Sequence, residues 1–250
     1  MFLSGCSEQK QRKLLEVAEL RITEGKYPEA TEILRKVIAI NPDNKLAAKA
    51  LYKLGFTLEV YGRDPDGAIF NYQEAIRLSQ DPASVYEIQK RVANLFFDQS
   101  KDIEKAISAY KKLISFNPSS LELDFFQFRI AEAYFRQNNF EQARNEYQKL
   151  VETFPKSQYL SKSRFEIGNS YYMEGKYDIA IEAFKQVGRY HPKSEHEVEA
   201  EFLMAQCLEQ ANKPKEALII YENLKSRYAN PQIIDHRLDQ LKQRLKKERK

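Results

Sequence analysis

The sequence predicts an all-α fold: an α-solenoid of about six helix–turn–helix repeats with a C-terminal capping helix. Three observations predict it. An Ala recurs at Ala30, Ala68, Ala106, Ala143, Ala180 and Ala217, at steps of 38, 38, 37, 37 and 37 residues. A Pro series keeps nearly the same step, at Pro42, Pro82, Pro118, Pro155, Pro192 and Pro231. Gly25, Gly62 and Gly175, with Asn138 and Asn212 at matching places, fall where each unit has to turn. Self-similarity at such a period marks stacked units, each able to bury its face only against its neighbours.

Each kind of position has a physical reason. The turn needs a residue that tolerates positive φ, which favours Gly and Asn. The Ala sits where two helices cross closely, since a larger side chain would hold them apart. The Pro ends the second helix because it has no N–H to continue the ladder.

Taken in order, residues 1–10 read as an N-terminal tether. Residues 11–44 form the first unit, turning at Gly25. The second, 48–82, turns at Gly62 and carries an extra residue within Arg63–Gly67. The third, 86–119, has a poor first helix and no turn Gly. The fourth, 124–157, places Phe128, Ala131, Tyr134 and Phe135 at helical spacing, then Phe140, Ala143, Tyr147, Leu150 and Val151 after a polar break. The fifth is 161–194 and the sixth 198–231. Residues 232–250 form the capping helix, with Ile233, Leu238, Leu241 and Leu245 expected towards the last repeat.

These units resemble the tetratricopeptide repeat family. The fifth carries Ile167-Gly168, Tyr171, Gly175, Tyr177, Ala180, Phe184 and Pro192 in the family's order. The fourth carries Ile130-Ala131, Tyr134, Phe140, Ala143, Tyr147 and Pro155. The unit ends Phe154-Pro155-Lys156-Ser157 and His191-Pro192-Lys193-Ser194 are similar to an envelope branch of the family. That branch holds the outer-membrane β-barrel assembly lipoprotein and the periplasmic coordinator of the Tol–Pal system. The segment Leu3-Ser4-Gly5-Cys6 looks like a bacterial lipobox, whose Cys would be lipidated, although a basic and apolar leader usually precedes it. Together they imply a periplasmic lipoprotein held to a membrane through Cys6. A cytoplasmic adaptor docking a regulatory or motility protein is the alternative.

The resemblance also implies where a partner would bind. First helices line a concave groove in such repeats, and the family's contact positions fall here on a set of named residues. They are Tyr52, Phe56 and Glu59 in the second unit, and Lys90, Asn94 and Phe97 in the third. The fourth supplies Phe125, Phe128, Glu132, Phe135 and Arg136. The fifth supplies Lys162, Phe165, Asn169, Tyr172 and Met173, and the sixth Phe202 and Gln206. Aromatics in such a groove suit a peptide with apolar anchors. Part of the family grips C-terminal carboxylates. Lys90, Asn94 and Lys162 match that set, whereas Arg129 and Glu166 depart from it, and an acid there would repel a carboxylate.

Composition narrows the function classes. The chain has 250 residues, 42% hydrophobic and 30% charged, with a formal net charge of +4. The excess sits in residues 236–250, and the body is near neutral, which offers no nucleic-acid-binding surface. No apolar run is long enough to span a membrane. Cys207 reads as a buried thiol and His191, His196 and His236 as surface groups. No phosphate loop, metal motif or nucleophile elbow is present. The expectation is a non-enzymatic scaffold for a protein or peptide partner, with no cofactor, metal or small-molecule substrate.

Overall fold

The computed structural model describes residues 2–100, 102–116 and 121–247, with side chains from Ser7 onward. The chain divides into two compact units, Met1–Pro118 and Ser119–Lys250. The described residues form thirteen α-helices and no strand.

The first unit is three helix pairs: α1 (Phe2–Thr23) with α2 (Tyr27–Ile40), α3 (Lys45–Thr57) with α4 (Pro65–Leu78), and α5 (Pro82–Asp98) with α6 (Ile103–Phe116). The second unit repeats the scheme with α7 (Leu123–Arg136) and α8 (Phe140–Thr153), α9 (Leu160–Met173) and α10 (Tyr177–Tyr190), and α11 (Glu195–Gln210) and α12 (Pro214–Leu224). The last helix, α13 (Pro231–Lys247), packs on α12.

The small residues do what their spacing implies. All six recurring Ala are fully buried. Beside them lie Tyr72, Tyr110, Tyr147, Phe184 and Tyr221, each 0–2% exposed. In two of the pairs the first helix offers a glycine to this ring. At Gly168 a Cβ would lie 2.6 Å from the Phe184 ring, and at Gly55 2.8 Å from Tyr72. Removing those side chains is what lets the pairs close.

The turns follow backbone chemistry. Gly25, Asn138, Gly175 and Asn212 all adopt left-handed φ, between 57° and 74°. Each closes the preceding helix with paired bonds, such as Gly175 N–H to the Tyr172 carbonyl at 2.9 Å and Lys176 N–H to Tyr171 at 2.9 Å. That is the Schellman closure, which satisfies carbonyls left over at a helix end. The second repeat differs. Gly62 is not left-handed there, and Arg63 takes that conformation at φ 52°. The extra residue is not in the loop as expected. It is absorbed in a π-turn, Leu58–Gly62, that continues α3. The closing bond lengthens by one residue to match, from Asp64 N–H to the Leu58 carbonyl.

Other expectations need correction. The third repeat's first helix is not poor: α5 runs 17 residues, capped by the Asp81 carboxylate accepting from Ala83 and Ser84 N–H. Pro82 and Pro231 open α5 and α13 rather than ending a helix, which suits Pro at a first helical position. Pro118 lies outside the described residues. Residues 7–10, within the segment read as a tether, are helical and belong to α1. On α13 the residue that turns inward with Leu238 and Leu241 is Ile234, fully buried, while Ile233 is 42% exposed.

Candidate interaction surfaces

In the second unit the first helices α7, α9 and α11 carry the expected contact positions. α9 and α11 pack side by side and are clasped near both ends. Near their starts Ser161 Oγ bonds Ser194 Oγ at 2.9 Å and lies 3.3 Å from His196 Nδ1. Near their ends the Tyr172 hydroxyl donates to Gln206 Oε1 at 3.0 Å. Between the clasps lies a recess of ≈ 560 Å³ with Phe165 and Leu203 as apolar lining and Lys162, Glu166, His196 and Glu199 as polar lining. Burial raises the Glu166 carboxyl above its ordinary range, although Asn169 donates to it at 3.0 Å and opposes the shift. Burial likewise holds the His196 and His191 rings below their ordinary value. Neither ring is the loose surface group that the sequence suggested. Arg164 Nε donates to His191 Nε2 at 3.3 Å, and the Phe165 and His196 rings lie 5.9 Å apart.

The Ser161–His196–Glu195 order resembles a nucleophile–base–orienter set, but its geometry does not serve one. The hydroxyl is shared with Ser194, and Glu195 is 3.7 Å from His196 Nε2 with its side chain 86% exposed. It works as a clasp between repeats.

In the first unit the α3–α5 pair is built more openly. Arg91 on α5 reaches Glu59 in the π-turn at 3.2 Å, and the Tyr72 hydroxyl donates to the same carboxylate at 2.5 Å. Arg91 also lies 5.1 Å above the Phe56 ring. At the opposite end of α3 a cleft of ≈ 1020 Å³ separates α3 from α5. Its apolar lining includes Ala48, Tyr52, Leu78 and Ile88, and Lys45, Lys49 and Lys53 line the α3 wall.

The remaining candidates divide by burial. Phe97, Phe128 and Phe165 are 0%, 4% and 6% exposed. They are core residues, Phe165 showing only an edge in the α9–α11 recess: Phe97 meets Tyr110 edge-on at 6.2 Å, and Phe128 stacks on Tyr159 at 4.8 Å. A helical position one step from the groove faces the neighbouring helix, so the repeat pattern alone puts such rings on either side. Tyr52, Phe56, Phe125, Phe135, Tyr172 and Phe202 are half-buried and keep a face towards solvent. Phe202 stacks on Tyr228 at 4.7 Å, and Phe135 packs edge-on against Phe140 at 5.2 Å. Arg136 is exposed and pairs with Glu132 at 3.3 Å. Lys162 lies 5.1 Å above Phe128, and Lys90 pairs with Glu87 at 3.1 Å. Asn94 Oδ1 accepts from the Tyr110 hydroxyl at 2.7 Å, which ties Asn94 to the second helix of its own pair. The Cys6 side chain lies outside the described ones. Cys207 is fully buried, and burial pushes its thiol up to about 12.

The α3 lysines were missed as a site, though their i, i+4, i+8 spacing was legible. Tyr159 and Tyr228, which stack from loops onto first-helix rings, had no signal in the repeat pattern.

Tetratricopeptide-repeat family models match residues 93–120, 126–157, 162–194 and 199–231, together half of the chain. No curated protein matches it by sequence. Among solved structures it is similar to Naa15/Naa10 bound to HypK-THB, at 17% identity and TM-score 0.69, over 94% of this chain and 35% of that one. It is similar to a tetratricopeptide repeat protein from Parabacteroides merdae ATCC 43184, at 19% identity and TM-score 0.55, over 93% and 99%. PilW, a widely conserved type IV pilus biogenesis factor, matches at 13% identity and TM-score 0.54, over 90% and 98%. The chain thus spans about a third of the first of these. At such identities the likeness concerns the fold.

Proposed function

Because the chain belongs to the tetratricopeptide-repeat family, we propose that it is a non-enzymatic scaffold that binds a protein or peptide partner on its first-helix faces. The observation that carries this reading is the row of half-buried aromatics, Phe125, Tyr172 and Phe202, set among charged groups on α7, α9 and α11. Half-buried rings at fixed positions offer apolar anchors with little ordering cost, and the charges around them supply register. Partner capture with the intact chain, repeated with Phe125→Ala and Tyr172→Ala, tests it. Loss of the same partners from both folded variants supports the reading. Retention of every partner by both rules out this face.

The finer reading is a bacterial envelope lipoprotein tethered in the periplasm through Cys6. It rests on Leu3-Ser4-Gly5-Cys6 and on the unit ends at Pro155 and Pro192. Labelling with a radioactive fatty acid in a Gram-negative host should mark the protein and fail for Cys6→Ser. Equal labelling of both, or of neither, sends the reading to the cytoplasmic adaptor.

A further inference from the structure

We propose that the cleft between α3 and α5 binds an extended acidic segment of a partner protein. An apolar side chain of that segment sits against Tyr52 and Ile88, and its carboxylates meet Lys45 and Lys49. The inference rests on the scaffold reading and names the partner chemistry for one of its surfaces.

The cleft has the volume and lining of a docking site. At ≈ 1020 Å³ it is nearly twice the size of the α9–α11 recess at ≈ 560 Å³. Ala48, Tyr52, Leu78 and Ile88 give it an apolar floor. It is open because α3 and α5 are joined at the π-turn end, through Arg91 and Glu59, while the other end of α3 stands off.

The charge balance selects the occupant. Each acid in the lining is already compensated. Glu19 pairs with Lys53 at 2.8 Å, and Glu87 pairs with Lys90 at 3.1 Å. Asp81 accepts from Ala83 and Ser84 N–H at the start of α5, where the helix dipole also favours its charge. Lys53 is taken by Glu19. Lys45 and Lys49 are exposed and have no hydrogen bond or ion pair among the described residues. Two uncompensated cations therefore border an apolar floor.

The spacing favours an extended chain. Four residues of helix place Lys45 and Lys49 about 6 Å apart along the axis. Alternate side chains of an extended segment lie about 7 Å apart and point the same way. A carboxylate, an intervening residue and a second carboxylate can then meet both ammonium groups. The floor and the cations are adjacent, so one segment can engage both.

The test uses short labelled peptides with a Glu-Leu-Glu centre and matched Gln-Leu-Gln and Lys-Leu-Lys controls, titrated by fluorescence anisotropy into the full chain. The acidic peptide is expected to bind best and to weaken with added salt. Its affinity should fall about tenfold for Lys45→Glu combined with Lys49→Glu, both being surface positions that leave the fold intact. Binding of the acidic peptide unchanged by that double variant overturns the inference. So does equal or better binding of either control, although the scaffold reading then stands. A single-stranded oligonucleotide that binds more tightly than the acidic peptide through the same lysines makes the cleft a polyanion site and overturns it. A dimer in sedimentation that dissolves in the double variant makes it a self-interface and overturns it too. If no peptide binds while partner capture through Phe125 and Tyr172 succeeds, only this inference falls. If both fail, the scaffold reading falls with it.

Discussion

The α3–α5 pair of the first unit and the α9–α11 pair of the second are built from the same parts and close differently. In the second, α9 and α11 are clasped near both ends, by Ser161 with Ser194 and by Tyr172 with Gln206, and the space between shrinks to a recess. In the first, Arg91 and Glu59 join α5 to the π-turn end of α3, and the other end opens into the larger cleft. A shared repeat pattern therefore fixes how each pair closes on itself. The polar groups between pairs decide how much surface is left for a partner.

The contrast can be broken most forcefully at Gly168. In Gly168→Val the branched side chain would meet the Phe184 ring, where even a Cβ would come within 2.6 Å. Overpacking of this kind costs roughly 3 kcal/mol. Urea unfolding should show the loss, and amide exchange should place it in α9 and α10, the pair that Gly168 and Phe184 close, while α3 and α5 keep their protection. An unchanged midpoint would mean that the tight closure contributes little.

A smaller effect sharpens the comparison from the other side. Arg91→Ala removes the bridge and leaves Glu59 with the Tyr72 hydroxyl, at a cost of about 1 kcal/mol for a half-buried pair. Exchange in α5 should quicken. Tyr172→Phe should disturb α11 less, because Ser161 still holds Ser194. If the two variants respond alike, the number of clasps does not set the stiffness.

Acid should separate the units by the smallest margin. Burial holds His191 and His196 below their ordinary value of 6.5, with Arg164 adding to the shift at His191 and Lys162 at His196, while Glu195 and Glu199 oppose it at His196. The unfolded chain then takes up protons more readily than the fold does. Stability present above pH 6.5 is lost as the pH falls through the lowered folded values. Thermal unfolding followed from pH 7 downward should show a fall that His191→Gln combined with His196→Gln reduces.

Much of this was legible in the sequence because repeats expose their own logic. Ala30 through Ala217 mark the helix crossings, and Gly25, Asn138, Gly175 and Asn212 mark the turns, since one backbone conformation admits few residues. Faces were harder. Phe128 and Phe125 lie three residues apart on one helix and both meet the Tyr159 ring, at 4.8 and 6.1 Å, but only Phe128 also packs on the buried Tyr147 and becomes core. The α3–α5 cleft was hidden for a different reason. It arises from what fails to meet between repeats, and a pattern within each repeat carries no record of that.

The π-turn at Leu58–Gly62 has a consequence for phase. One added residue in a regular helix rotates everything after it by about 100°. Such a rotation would swing the turn away from the position that α4 needs. A single widened turn takes up the residue, hands the left-handed step from Gly62 to Arg63, and delivers Ala68 and Tyr72 to the same buried sites as their counterparts. The chain can change its length without losing its beat, so a count of residues between repeats is a poor ruler for where their surfaces fall.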